Sequence, residues 1–143
     1  VPYVVAEVED PHKTKHFPEL AYLAVPSKVA ELVEKYEIDG MILCIDHGLP
    51  EGQHLTTLLN DRAVRDHTLA MHISGPNHGI ITIGDPKFAQ FLEIVSRTKF
   101  KHPVRAALDL NPFQLRNIDS QKLIDLIYKT VRWIMQTQGK TNL

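Results

Sequence analysis

The sequence predicts an α/β fold. It is read as a three-layer domain with a mostly parallel central sheet of about five strands flanked by about four helices. Three observations predict it. Short apolar runs alternate with stretches of helical period. The run Met41 to Ile45 has no polar side chain on either face, as a strand covered on both sides requires. Each apolar run also ends in polar residues or glycine, the punctuation of strand-end loops.

In chain order, Val1 to Val8 is β-prone and predicts a first strand. Residues 10 to 16 form a polar loop, and Leu20 to Val25, bracketed by Pro18 and Pro26, is a second, short strand candidate. Val29, Leu32, Val33 and Tyr36 recur at i, i+3, i+4 and i+7, predicting a helix that Ser27 can cap. Met41 to Ile45 is the central strand. A second helix starts near Pro50 and carries Leu55, Leu58 and Leu59 on one face. Thr68 to Met71 and Ile80 to Ile83 read as two strands around Ser74-Gly75-Pro76-Asn77-His78-Gly79. That short connection suits a hairpin, which would turn one of the two strands antiparallel. Asp85 and Pro86 open a third helix through Phe88, Phe91, Leu92 and Val95. Val104 to Leu108 is a further strand.

The last helix starts at Asp119 or Ser120 and runs to about Gln136. It is apolar along two lines: Leu123, Ile127, Val131 and Ile134, then Ile124, Tyr128 and Met135 beside Trp133. A helix covering only a sheet needs a narrower face. Either it is wedged deep in its own core, or one line meets a second copy of the chain. The second alternative predicts a homo-oligomer.

Composition bounds the function. A chain of 143 residues, with 43% hydrophobic and 23% charged residues, fits one globular domain spanning 1–143. A net charge of −1 gives no general drive toward nucleic acid or an anionic membrane, so nucleic-acid binding is not favoured. No apolar stretch approaches the ~20 residues of a membrane span. The start lacks a basic-then-apolar leader pattern, and a cytoplasmic setting is expected. The chain opens at Val1, as a trimmed chain or part of a longer one would. The lone Cys44 sits inside the most apolar run and reads as a small buried residue.

In a parallel sheet the C-terminal strand ends share one edge, where such folds build sites. Asp46 and His47, after the central strand, are the first candidates. The carboxylate can hold a divalent cation or orient the histidine as a base. The bland alternative is a strand-end turn. His72 and Asp109 follow as catalytic candidates, and Asp85 joins Asp46 and Asp109 as a metal ligand, though Asp85 also has the job of helix cap. Asp109-Leu110-Asn111-Pro112 reads equally as a turn. Ser74, Gly75, Asn77 and His78 form a glycine-rich loop able to turn amides toward an anion; a plain tight turn competes. His12 and His16 make a weak zinc or phosphate candidate. His67 and His102 precede their strands and fall at the opposite edge.

Carboxylates with histidine suit a divalent metal, Mg or Zn, acting on a phosphoester or similar anionic substrate. The alternative is a non-catalytic module that binds a small anionic ligand or assembles into homo-oligomers. Nucleophile-elbow, zinc-protease, paired-cysteine and dinucleotide motifs are absent.

Overall fold

The computed structural model describes residues 5–7, 25–44, 53–75 and 78–137. The chain is α/β. Its described elements are β1 (Val5–Glu7), α1 (Pro26–Lys35), β2 (Gly40–Cys44), α2 (Gln53–Asn60), α3 (Arg62–His67), β3 (Thr68–Ile73), α4 (Pro86–Arg97), β4 (Arg105–Leu108), α5 (Pro112–Leu115) and α6 (Ser120–Thr137). The four strands form one sheet in the order β1-β2-β3-β4, with β1/β2 and β2/β3 paired in parallel. Among the described residues no helix is long and apolar enough to cross a membrane. Of the sequence candidates, Asp46, His47, Asn77, the loop of His12 and His16, and residues 20–24 lie outside the described residues.

The chain divides into two compact units. The first spans Val1–Ile73 and Thr98–Ala107. Its described core is Val29, Ala30 and Val33 of α1, Met41 and Leu43 of β2, Leu55 and Leu59 of α2, Val64 of α3, and Met71 and Ile73 of β3. Alternate positions Ile42, Ala70 and His72 are half-buried, so the two strands bury one face fully. α1 packs on β2 and on α3. The predicted second helix is α2, and a further short helix, α3, follows it. Arg65 donates to the Leu59 and Asn60 carbonyls at 2.8 and 2.7 Å, closing α2. Asp61 accepts from the Ala63 amide at 2.9 Å, opening α3. Thr68 is buried at the start of β3 and donates to the Val64 carbonyl at 2.6 Å.

Helix α1 begins one turn-position earlier than its sequence suggests. Val25 is the N-cap without a side-chain bond, and Pro26 takes the first helical position; Ser27 therefore falls inside the first turn. The proline's fixed φ and missing N–H make that start favourable. The helix ends in a Schellman motif. The Ile38 amide reaches the Val33 carbonyl at 3.0 Å, with Glu37 at φ 51°.

Gly40 opens β2 under close cover. A Cβ there would meet the Leu69 side chain and lie 2.7 Å from the His67 carbonyl. Register shifts at this point: Met41 pairs with Thr68, but Ile42 pairs with Ala70, leaving Leu69 extra on β3.

The second unit spans Ser74–Arg97 and Leu108–Leu143. The predicted strand at Ile80 to Ile83 is not formed, and among the described residues the sheet has four strands rather than five. The loop instead closes on an isolated antiparallel bridge between Gly75 and Gly79, and the chain turns again at Ile83 and Gly84. Gly84 has φ 84°, and Asp85 then starts α4 directly, accepting from the Lys87 and Phe88 amides at 2.8 and 3.2 Å. Ile-Ile-Thr-Ile is β-prone, but no room is left for it to extend between two turns. Asp119 caps α6 through the Gln121 and Lys122 amides at 3.0 and 3.2 Å.

Helices α4 and α6 pack through aromatic rings. Phe88 lies 5.4 Å from Phe91 and 5.7 Å from Trp133, centroid to centroid. Trp133 is therefore an internal contact of this unit rather than part of an outer stripe. Thr130 and Ile134 are buried, while Ile124, Tyr128 and Val131 are exposed. The two apolar lines exist, but Val131 belongs to the outer one.

Glu37→Gly should raise stability by about 1 kcal/mol, because glycine adopts the left-handed cap without the Cβ penalty. Gly40→Ala should lower it by about 1–3 kcal/mol, since the Leu69 and His67 atoms must move. Urea unfolding of both variants reads the opposite signs. The Thr130 hydroxyl is buried with no hydrogen-bond partner among the described residues. Thr130→Val keeps its shape and removes the stranded hydroxyl, so thermal unfolding should shift upward or stay level.

Candidate functional site

Strands β3 and β4 are neighbours in the sheet, and each is followed at once by a polar segment. The segment after β3 runs from Ser74 through Gly79. The Gly75 amide donates to the Gly79 carbonyl at 2.8 Å, pulling the loop shut. Gly75 is needed for that closure, because a Cβ would collide with the Ile80 carbonyl. The same bond uses the Gly75 N–H, so this amide is not presented to an anion. Ser74 is buried, and its hydroxyl has no hydrogen-bond partner among the described residues.

His78 sits inside this closed loop with φ 56°. Histidine tolerates the left-handed region better than most residues, yet the conformation still costs about 1 kcal/mol. At Glu37, the other described non-glycine residue with positive φ, the cost is offset by the helix-end bonds. His78 ends no helix. Its compensation comes from the segment after β4.

That segment is Asp109 to Asn111. The Asn111 amide donates to the His78 carbonyl at 2.8 Å. The Asp109 carboxylate lies 3.1 Å from Nδ1 of His78, an ion-pair distance when the ring is protonated. The ring N–H is not aligned on the carboxylate as a hydrogen bond. Asn111 also caps α5, accepting from the Phe113 amide at 2.9 Å, and Pro112 occupies the first helical position. The turn expected at Asp109 to Pro112 is therefore real, and it carries the histidine contact as well. His78 is three-quarters buried and Asp109 is 40% exposed, so one side of the pair is open to solvent.

The remaining candidates fall as follows. His72 lies near the C-terminal end of β3, in register with Cys44, half-buried. It belongs to the first unit, whereas Ser74, Gly75, His78, Asp85 and Asp109 belong to the second. Asp85 holds the first turn of α4 through its carboxylate, the structural role foreseen for it. His67, set aside as a site residue, contacts Glu34 of α1 at 3.0 Å and ties α3 to that helix. Among the described residues no group of three or more His, Cys, Asp or Glu side chains could hold a metal ion.

The arrangement can do one thing chemically. A carboxylate at ion-pair distance from one imidazole nitrogen favours this ring orientation electrostatically, and the ring's other nitrogen is the candidate for proton transfer. The sequence ranked His78 as an anion-loop residue and did not join it to Asp109. The signal available was positional: both residues closely follow consecutive strands, and neighbouring parallel strands end side by side. Comparison of the chain with family models, with curated proteins and with solved structures finds no match.

Proposed function

We propose that the chain hydrolyses a phosphoester or similar small anionic substrate at the C-terminal strand ends. The single observation carrying this reading is the His78–Asp109 pair, drawn from two consecutive strand ends and held in a strained loop. Non-glycine residues in the left-handed region gather at functional sites, where surrounding structure over-determines them. In this reading Asp109 orients the His78 ring, and the ring's other nitrogen takes a proton from the attacking water.

This reading includes a divalent ion, Mg or Zn, as the sequence suggests. Asp46, whose position lies outside the described residues, would supply a hard oxygen, with His47 as the nitrogen ligand for Zn. Such an ion polarises the ester oxygen and lowers the water's pKa. Asp85 has no part here, since its carboxylate is engaged by backbone amides. We keep the cytoplasmic setting within this reading.

The test is hydrolysis of p-nitrophenyl phosphate with added Mg or Zn. His78→Gln and Asp109→Asn should each lower kcat/KM by about 10²–10⁴, the usual scale of a lost acid–base group. Asp46→Asn should do the same in a folded protein and abolish metal-dependent thermal stabilisation. Unchanged hydrolysis in folded His78→Gln would defeat the reading.

One observation favours the second reading, a non-catalytic ligand-binding module that assembles through its last helix. Ile124, Tyr128 and Val131 form an exposed apolar line along α6, at 60%, 64% and 38% exposure. A line at i, i+4 and i+7 is what a partner helix reads. Tyr128→Glu should then reduce the mass measured by light scattering without loss of helical signal. An unchanged mass removes α6 as the interface.

A further inference from the structure

Charge is spread unevenly along this chain. Between Glu93 and Asp109 the sequence holds no carboxylate, but it holds Arg97, Lys99, Lys101 and Arg105. Arg97 pairs with Glu93 on its own helix, at 2.6 Å. Lys99, Lys101 and Arg105 belong to the first unit, and all three are exposed. None of the three side chains meets a carboxylate among the described residues. Residues 98–104 are irregular, and Arg105 opens β4.

Helix α3, in the same unit, lies beside them. The Lys101 amide donates to the Arg65 carbonyl at 3.4 Å, so the chain entering β4 touches the helix that enters β3. That helix adds Arg62 and Arg65. The Arg62 side chain is 86% exposed and pairs with Asp66. Arg65 directs its guanidinium at the Leu59 and Asn60 carbonyls, which do not neutralise it. Five cations therefore gather here with two carboxylates, Asp61 and Asp66, in a chain whose net charge is −1. The rest of the chain is correspondingly acidic. A near-neutral total thus conceals a local positive field.

The chemistry of this patch narrows its partner. A protein interface needs an apolar or aromatic centre. None of the exposed large apolar residues lies in α3 or at 98–105. Phe100 is half-buried, so it gives unpaired bases no open ring to stack on. A lipid surface is held by apolar side chains inserted beside basic ones, and the patch presents no large apolar side chain. Lysine and arginine alone suffice for phosphates. Duplex nucleic acid offers phosphates most densely, with one charge per about 1.7 Å of axis.

We propose that Lys99, Lys101 and Arg105, backed by Arg62 and Arg65, form a sequence-independent contact surface for the phosphate backbone of duplex nucleic acid. The three exposed side chains make the phosphate contacts, and the α3 arginines raise the local potential. His78 and Asp109 take no part, so this surface stands or falls separately from the hydrolytic reading.

Fluorescence anisotropy of a labelled DNA duplex of about 20 base pairs tests this on the intact chain. Affinity should fall about 40-fold between about 50 and about 200 mM salt, the dependence expected of three phosphate contacts. Lys99→Gln/Lys101→Gln/Arg105→Gln should lower low-salt affinity about tenfold or more, with circular dichroism unchanged. Lys87→Gln/Lys122→Gln/Lys129→Gln removes the same charge from exposed lysines of the second unit and should leave binding within about twofold. If the first triple variant fails to fold, Lys99→Gln/Lys101→Gln decides; it touches only irregular backbone and should lower the salt slope by about 2. A wild type that does not bind the duplex overturns the proposal, and so does an equal loss in both triple variants. So does binding to vesicles of phosphatidylserine and phosphatidylcholine in place of the duplex.

Discussion

The handedness of the crossovers constrains everything else in this chain. A right-twisted strand feeding a helix returns to a parallel neighbour in only one hand. With strands in chain order, each connection returns the chain to the next strand along the sheet. That order also aligns the C-terminal ends of β3 and β4, so the segments leaving them begin beside each other. The His78–Asp109 contact is the chemical consequence of that alignment.

Local details then tune what topology allows. Gly40 lets Leu69 lie directly over the start of β2, and the shift of register there absorbs the extra residue. Further along, two residues accept the left-handed backbone, at similar intrinsic cost, for different ends. Glu37 terminates a helix whose carbonyls it helps satisfy. His78 shapes a loop whose carbonyl and ring are both held by residues 109–111. The first cost serves the fold alone. The second fixes a titratable ring beside a carboxylate, on the open side of a loop that has no other need of it.

Much of this was legible in the residues. The apolar run at Met41 became an interior strand because nothing on either of its faces needs water. The helices at Val29 and Phe88 followed their spacing, and Asp85 and Asp119 cap as their side-chain chemistry suggests. Ile80 to Ile83 failed because propensity is local, whereas strand formation needs a partner edge. The Gly75–Gly79 bridge and the turn at Gly84 removed it. Helix α3 was not legible, because its 6 residues are too few to show a helical period. Its start is set by the Asp61 cap, and Arg65 closes α2. The site was half legible. Its residue types and the strand ends were visible, but the pairing of His78 with Asp109 depends on β3 and β4 being neighbours. That is a long-range fact no local pattern encodes.

The claim most exposed to direct test is that the two strand-end segments meet through this pair. A double-mutant cycle on unfolding free energy, with His78→Gln, Asp109→Asn and the double variant, measures it. Contact predicts a coupling of about 0.5 kcal/mol or more. Strictly additive effects would contradict it.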